Sequence, residues 1–575
     1  MKRILTLILS LLMATTFSAE RWNGIMIDVS RHFMPMEFLY RQVDAMSHFG
    51  INRLHLHLTD AAGWRLEIKS RPRLTSMAAW RTDASWKTWW NDGRRLYSEE
   101  KSDTAFGGYY TQEEMRRLVA YADSRGVQIV PEIEFPAHSE EVTAAYPETG
   151  CTGKPYECAD FCLGSEASYT FMNDVLSELN GIFTSPYIHL GGDEAGGTRW
   201  LTCERCLAKM KELGIAPSAR DSRQRLQQYA SQRLTEMADK AGRKVILWDE
   251  ALPPTALDTS AIKPIIMVWR DESTAARAMA QGHEVILCPG KHCYVDTYQD
   301  CPLTEPEAIG GYIPLDNIWA YARDVKKRMT DSLLLGMQVN LWTEYVPNDR
   351  HAERMLWPRA LAVSAWADDN DYTPKDKGKV IEALNWLRQH DITPFPQESE
   401  VGERQEHDSP VRCLSTGKKV KYNAPYNEYY SAGGSTALTD GLRGGWANND
   451  GRWQGFISRG RLDVIIDLEQ TERIKSIEAD FLQSIGPEIF LPEEINIYTS
   501  TDGENYTLLH HDTPGQSTVS TAYETMGWKA GNTATKRKTG RKAGKKGATK
   551  ARYVRIQALS GKRGGWIFTD EIVVR

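Results

Sequence analysis

The chain has 575 residues, and its formal net charge of −6 is small for that length. This balance excludes a strong global electrostatic field, so we expect neither nucleic acid nor an anionic membrane surface as a partner. The length predicts two or more domains, unless one of them is a large barrel.

Residues 1–18 are typical of a signal peptide. Lys2 and Arg3 precede a short apolar run, and small residues stand before the expected cleavage point. No later segment approaches about 18 uninterrupted apolar residues. The sequence therefore predicts an exported protein, periplasmic, cell-surface or extracellular, without an integral membrane segment.

Between residues 24 and 344, short apolar runs alternate with longer stretches of helical periodicity. This alternation is typical of βα units and a parallel sheet. Eight runs can be counted, which is the number of strands in a (β/α)8 barrel. They are GIMIDVS from Gly24, INRLHLHL from Ile51, VQIVPEIE from Val127, YIHLGGDE from Tyr187, KVILWDE from Lys244, IIMVWR from Ile265, EVILCPG from Glu284 and MQVNLWTE from Met337.

Nearly every run ends in polar or aromatic residues. A single polar residue at a strand end is usually an ordinary loop residue or a helix N-cap. In a barrel, however, all the strand ends meet at the face where active sites are assembled. We therefore predict an α/β fold with a TIM barrel over residues 19–390, rather than an open doubly wound sheet. Between two runs, Thr111 and Glu114 have the spacing of a capping box at a helix start.

The sequence changes character after the barrel. Residues 391–410 are polar and contain proline, which predicts a linker, and residues 411–575 show the short alternating strands of a β-sandwich. Residues 529–552 hold ten Lys or Arg and no acid. A nucleic-acid-binding arm is one interpretation, but without interleaved aromatics a disordered loop between strands is favoured.

Nine cysteines in an exported chain are first interpreted as disulfide candidates. They are Cys151, Cys158, Cys162, Cys203, Cys206, Cys288, Cys293, Cys301 and Cys413. Structural zinc is the alternative, and it is less favoured because no histidine has zinc-finger spacing. Since nine is odd, at least one thiol should be free.

The strongest local signal is HLGGDE, His189–Glu194, at the end of the fourth run. The two glycines allow the backbone to approach a ligand, and two adjacent carboxylates follow. Adjacent acids cannot easily lie on opposite sides of a glycosidic bond, as the acids of most glycosidases do. One of the two must have another role.

With the other strand ends, this motif makes residues 21–370 resemble glycoside hydrolase family 20, the β-N-acetylhexosaminidases. The other motifs are DVSRHF from Asp28, HLHLTD from His55, PEIEFPAH from Pro131, LWDE from Leu247, VWR from Val268, YVD from Tyr294 and NLWTE from Asn340. The chain departs from the family pattern at Glu134, where the family usually has Asp, at Ala137, where it has Gly, and at Ala61, where it has a second Asp.

The resemblance implies an exo-acting, retaining enzyme that releases terminal β-linked GlcNAc or GalNAc without a cofactor or catalytic metal. In substrate-assisted catalysis, the 2-acetamido carbonyl of the substrate attacks the anomeric carbon. Glu194 would be the general acid with a raised pKa, while Asp193 and Tyr294 would hold the acetamido group. Asp60 and His138 would form a relay that polarises the acid.

The resemblance also implies six substrate-binding residues. Trp248, Trp269 and Trp342 would wall the acetamido pocket, Arg31 and Glu344 would bind O3 and O4, and Asp296 would bind O6. The alternatives are a family member specialised for sulfated hexosamine or disaccharide release, and a non-catalytic glycan-binding protein.

Residues 411–575 resemble a discoidin-like, coagulation factor 5/8 type C domain. The motifs are LTDGLRGG from Leu438, WQGF from Trp453, VIIDLEQ from Val464 and STDG from Ser500. This resemblance implies glycan binding and allows a structural calcium ion. The expected partner of the whole chain is an oligosaccharide or a glycoprotein glycan.

Overall fold

The computed structural model describes residues 21–575, except residues 101, 253–261, 368–376, 405, 406, 408, 458–460, 516, 518, 532–546 and 563. The predicted signal peptide, residues 1–18, lies outside the described residues. In the part of the chain that is described, no helix is both long and apolar enough to cross a membrane.

Eight parallel strands close into a barrel in chain order. They are β1 (Trp22–Asp28), β2 (Arg53–His57), β3 (Gln128–Glu132), β4 (Tyr187–His189), β5 (Lys244–Trp248), β6 (Ile265–Val268), β7 (Val285–Leu287) and β8 (Leu334–Leu341). The barrel closes where β1 pairs with β8, with Ile25 opposite Val339. All eight predicted runs are therefore barrel strands, and the open sheet is excluded.

Helices lie between most of the barrel strands and after the last one. The longer ones are Met36–His48, Gln112–Asp123, Glu166–Leu179, Ser222–Lys240, Glu272–Ala280, Leu315–Arg328 and Lys377–Gln389. Shorter ones are Arg73–Ser76, Trp86–Asn91, Glu140–Ala145, Glu204–Glu212, Gly290–Cys293, Asp349–Leu356 and Leu361–Ala367. The predicted capping box is confirmed, since the Thr111 hydroxyl accepts from the Glu114 backbone N–H and the Glu114 side chain accepts from the Thr111 backbone.

Nine strands after the barrel form two antiparallel sheets. They are β9 (Lys419–Tyr422), β10 (Gln454–Phe456), β11 (Arg461–Ile474), β12 (Ser476–Ser484), β13 (Glu494–Ser500), β14 (Thr507–Asp512), β15 (Thr521–Lys529), β16 (Thr549–Leu559) and β17 (Ile567–Val574). The sheet orders are β9-β11-β16-β13-β14 and β10-β17-β12-β15. Alternate residues such as Leu462, Val464 and Ile466 enter a core that is separate from the barrel core. This is the predicted β-sandwich.

Part of the segment predicted as a linker, residues 391–410, contacts both domains. The Asp300 carboxylate accepts backbone N–H groups of Val401 and Gly402 at 2.9 and 2.6 Å. Arg404 is buried and pairs with Asp480 and Asp570 of the sandwich. The polar composition predicted a linker, and in the structure these polar groups have protein partners in both domains.

The predicted basic loop is shorter than residues 529–552. Strand β15 continues to Lys529, and β16 already begins at Thr549. Arg552 pairs with Asp467 at 2.8 Å, so its charge belongs to the sheet surface. The central residues 532–546 lie outside the described residues.

Candidate active site

The polar ends of the barrel strands meet around Asp193 and Glu194, which follow β4. Glu194 and His138 both have left-handed backbones, with φ of 49° and 51°. Such a conformation is uncommon for residues other than glycine and marks a sharply turned loop. The two turns bring His138 Nε2 to 3.4 Å from Glu194 Oε2 and 3.5 Å from Asp193 Oδ2. Both acids therefore lie on the same side of the site, beside one imidazole nitrogen.

The second nitrogen of His138 contacts a buried carboxylate. His138 Nδ1 lies 3.2 Å from Asp60 Oδ2, and the Arg31 guanidinium lies 2.8 Å from the same oxygen. Burial alone would raise the pKa of Asp60, but Arg31 and His138 hold it well below its usual range. Glu194, His138 and Asp60 thus form the continuous chain of contacts that the sequence predicted.

The two adjacent acids have opposite electrostatic environments. Burial raises the pKa of Asp193, whose side chain is 13 % exposed. The hydrogen bond from His138 lowers the pKa of Glu194, whose side chain is 63 % exposed. The raised pKa expected for Glu194 is therefore not found, because the contact with His138 and exposure to water both favour the ionised carboxylate.

Four aromatic residues form one wall of the site. Trp342 lies between Trp248 and Tyr294, with ring centroids 6.1 and 6.0 Å away, and Trp269 stacks on Tyr294 at 6.4 Å. The Trp248 indole donates to Glu132 at 2.8 Å, and the Trp269 indole donates to Glu250 at 2.9 Å. These bonds hold the Trp248 and Trp269 rings in fixed orientations.

Two carboxylates at the pocket carry an oxygen without a protein donor. Among the described residues, Asp193 Oδ1 and Asp296 Oδ1 are buried and accept no hydrogen bond from another residue. Burying a polar atom without a partner costs about 1 to 3 kcal/mol. A ligand that donates to these oxygens would recover this cost.

Arg31 and Glu344 lie together on another side of the site. Arg31 is 3.1 Å from Asp28 and 3.7 Å from Glu344, and its guanidinium lies over the Trp342 ring.

Burial and the nearby Glu344 raise the pKa of Asp296 to about 8. The structure thus brings all eleven predicted site residues into one region, at the C-terminal ends of the strands.

A buried cluster of one carboxylate and three histidines inside the barrel was not predicted from the sequence. The Glu132 carboxylate contacts His55, His57 and His189 at 3.0, 2.5 and 2.9 Å. The signal was present in HLHL from His55, where alternate residues of β2 point into the barrel. Because Glu132 also accepts from Trp248, this cluster supports the aromatic wall from below.

Glu134 is the departure from the family pattern with the clearest structural effect. Both of its carboxylate oxygens are buried without a hydrogen-bond partner among the described residues. Burial and the nearby Asp193 raise its pKa well above the usual value, which favours the neutral carboxyl. A Cβ at Gly191 would come within 2.0 Å of this carboxyl, which explains the first glycine of HLGGDE.

The comparisons with known proteins agree with this geometry. Residues 21–368 match the model of the glycosyl hydrolase family 20 catalytic domain, and residues 421–572 match the F5/8 type C domain. The chain belongs to glycosyl hydrolase family 20. This confirms both resemblances predicted from the motifs.

Relatives carry names from the same family. The β-hexosaminidase of Porphyromonas gingivalis is 35 % identical over 60 % of this chain and 42 % of its own length. That of Vibrio furnissii is 34 % identical over 60 % of this chain and 56 % of its own length. The chain therefore spans about half the length of these curated relatives.

Solved structures give the same picture. The exo-β-N-acetylglucosaminidase of Vibrio harveyi, solved with N-acetylglucosamine, has a TM-score of 0.54 and 27 % identity, covering 66 % of this chain and 59 % of that one. A β-N-acetylhexosaminidase of Bacteroides fragilis has a TM-score of 0.52 and 26 % identity, covering 66 % and 73 %.

Proposed function

We propose that the protein is an exo-acting, retaining β-N-acetylhexosaminidase that releases terminal β-linked GlcNAc or GalNAc from glycans. The observation that carries this proposal is the shared contact of Asp193 and Glu194 with His138 Nε2. Since both acids lie on one side, they cannot act as two carboxylates facing each other across a bond. In our proposal the nucleophile is the substrate's own acetamido carbonyl, as the family resemblance implies.

Each acid has a role that suits its surroundings. The buried Oδ1 of Asp193 can accept the acetamido N–H and oppose the positive charge that develops on the acetamido group. Glu194 is open to the aglycone, so it can protonate the leaving oxygen and then activate water. When an aglycone covers Glu194, it removes water from the carboxylate. This desolvation raises the pKa of Glu194 and so favours the protonated form that can donate a proton.

The remaining residues hold the sugar. The wall of Trp248, Trp269 and Trp342 fits an acetyl methyl group, and the Tyr294 hydroxyl can donate to the acetamido oxygen. Outside this wall, Arg31 and Glu344 can bind O3 and O4, and the unpaired Oδ1 of Asp296 can accept from O6. This chemistry needs no metal at the catalytic acids.

The test is the configuration of the first-formed sugar. Two inversions at one carbon retain the β configuration, which proton NMR detects before mutarotation. A thiazoline mimic of the cyclic intermediate should inhibit strongly, and a glycoside with a free 2-hydroxyl should be nearly inert. A first-formed α-anomer, or a covalent ester trapped on Asp193 or Glu194, would refute the mechanism.

We further propose that the chain is exported and that its sandwich binds glycan. The signal-peptide pattern of residues 1–18 supports the first proposal. A structural calcium ion in the sandwich is a further proposal, which rests on the resemblance of residues 411–575 to a discoidin-like domain.

A further inference from the structure

Four cysteines from two active-site loops meet at one point. Cys151 and Cys162 lie in the long loop region between β3 and β4, and Cys203 and Cys206 follow β4. The four sulfur atoms all lie within 4.8 Å of one another. All nine cysteines are described and none forms a disulfide, so the disulfides expected from the sequence are not found.

The distances between the thiols match a tetrahedral metal site. Cys162 Sγ lies 3.6 Å from Cys206 Sγ and 3.7 Å from Cys203 Sγ, and Cys151 Sγ lies 3.8 Å from Cys206 Sγ. Four sulfurs placed about 2.3 Å from a zinc ion have tetrahedron edges of about 3.8 Å. Because Cys162 and Cys206 each approach two other thiols, the cluster does not divide into two separate pairs.

The surrounding backbone is shaped to hold these thiols together. A Cβ at Gly164 would lie 2.5 Å from the Cys206 backbone nitrogen and 2.2 Å from the Arg205 carbonyl oxygen. Only glycine therefore lets the segment after Cys162 approach the Cys203-x-x-Cys206 turn so closely. Arg205 donates to the carbonyls of Gly150 and Cys151 at 2.8 and 3.2 Å, which places a positive charge beside the thiols.

We propose that Cys151, Cys162, Cys203 and Cys206 bind one structural zinc ion. Four thiolates are a complete ligand set for structural zinc, and no histidine is required. Disulfides were preferred from the sequence because the chain is expected to be exported and because no histidine has zinc-finger spacing. The second reason does not apply to a site of four cysteines. The net charge of such a centre is negative, which suits the adjacent guanidinium of Arg205.

The zinc site would fasten together the two loops that carry the catalytic residues. His138 and Cys162 belong to the loop region after β3, while Glu194 and Cys206 belong to the one after β4. The loops already touch where Asp160 accepts the Gly197 N–H at 3.0 Å and Trp200 donates to the Phe161 carbonyl at 2.9 Å. A metal at the base of these contacts would hold His138 against Glu194.

The first experiment measures metal in the purified full chain, produced with zinc in the medium. Mass spectrometry of metals should find one zinc per chain, and X-ray absorption should show four sulfur neighbours at about 2.3 Å. Alkylation after denaturation with a chelator should label all four cysteines. Protein without stoichiometric zinc, or peptides joined by disulfides among these cysteines, would overturn the proposal.

Matched variants locate the site. Cys206→Ser should reduce bound zinc from one per chain to near zero, whereas Cys158→Ser should keep it, because Cys158 is buried in the same loop but lies outside the cluster. Cys151→His should also keep zinc, since imidazole is an alternative ligand. Full zinc content in Cys206→Ser would contradict the assignment. If that variant does not fold, the zinc content and sulfur coordination of the unaltered chain still decide the question.

Discussion

His138 Nε2 lies 3.4 Å from Glu194 Oε2, and this contact lowers the pKa of the proposed acid. Asp60 and Asp193 raise the pKa of His138 well above the usual value, so the imidazole is charged at neutral pH. A cation beside a carboxylate favours its ionised form. The neighbouring imidazolium therefore disfavours the protonated form of Glu194 that general acid catalysis needs.

The first prediction follows from that contact. His138→Gln removes the cation, so the pKa of Glu194 rises and the high-pH limb of kcat/KM moves to higher pH. The rate at the optimum should fall, because Glu194 loses the side chain that positions it. The exposed His390→Gln is the control and should leave the profile unchanged. A lower rate with an unmoved high-pH limb would show that His138 is only structural.

The second prediction concerns Glu194 itself. General acid catalysis contributes about 10² to 10⁴-fold, and activated aryl leaving groups need less of it. Glu194→Gln should therefore lose most activity on oligosaccharides and much less on nitrophenyl glycosides. The thermal midpoint should change little, because the side chain is mainly exposed. Equal losses on both kinds of substrate would exclude the role of proton donor.

The third prediction separates transition-state contacts from substrate binding. Tyr294→Phe removes a donor to the acetamido oxygen, whose charge grows during attack, so kcat should fall by about 10² to 10³ while KM changes little. Asp193→Asn should behave in the same way. Steady-state kinetics with a chromogenic N-acetylglucosaminide measures both constants. A change confined to KM would mean that these residues only bind the ground state.

The fourth prediction tests the proposed contact between Glu344 and the 4-hydroxyl of the sugar. If Glu344 binds the 4-hydroxyl, Glu344→Gln and a 4-deoxy substrate should each lower kcat/KM, and the two losses together should be smaller than their sum. The same cycle with a 6-deoxy substrate is the control, because O6 is assigned to Asp296. Additive losses with the 4-deoxy substrate would mean that Glu344 does not contact the 4-hydroxyl.

The barrel could be predicted because its signals are local. Each of the eight apolar runs and the capping box at Thr111 depends on neighbouring residues. The family motifs were also sufficient to bring together Asp60, His138 and Glu194, which lie far apart in the chain. The environment of Glu194 could not be predicted, because its pKa depends on a turn that places a charged imidazole beside it.

Contacts between distant segments explain the other differences between the sequence-based predictions and the structure. The polar residues of 391–410 suggested a linker, yet Arg404 is buried because Asp480 and Asp570 pair with it across the sandwich. The cysteines could not be paired from their spacing, since the approach of Cys162 to Cys206 depends on the fold of two loops. The amino-acid composition of a segment does not show which distant residues pack against it.

The last prediction concerns the contact between the sandwich and the loop that carries Asp296. Tyr298, two residues beyond Asp296, shares a hydrogen bond of 2.6 Å with Ser520 of the sandwich. The Ser520 hydroxyl also donates to the Ala308 carbonyl at 2.8 Å, on the same loop. Because Tyr298 is buried, losing this bond should loosen the loop and the position of Asp296.

Ser520→Ala and Tyr298→Phe should therefore each cost about 1 kcal/mol of stability, and the double variant should cost less than their sum. Both should raise KM for substrates with a free 6-hydroxyl and have less effect on 6-deoxy substrates. Ser415→Ala is the matched control, because its hydroxyl donates to Ile572 at 2.6 Å within the sandwich alone. It should lower the thermal midpoint and leave KM unchanged. An unchanged KM in all three variants would mean that the sandwich does not influence the sugar site, whereas a KM change in Ser415→Ala would show that general loosening of the sandwich, not the Tyr298 contact, is responsible.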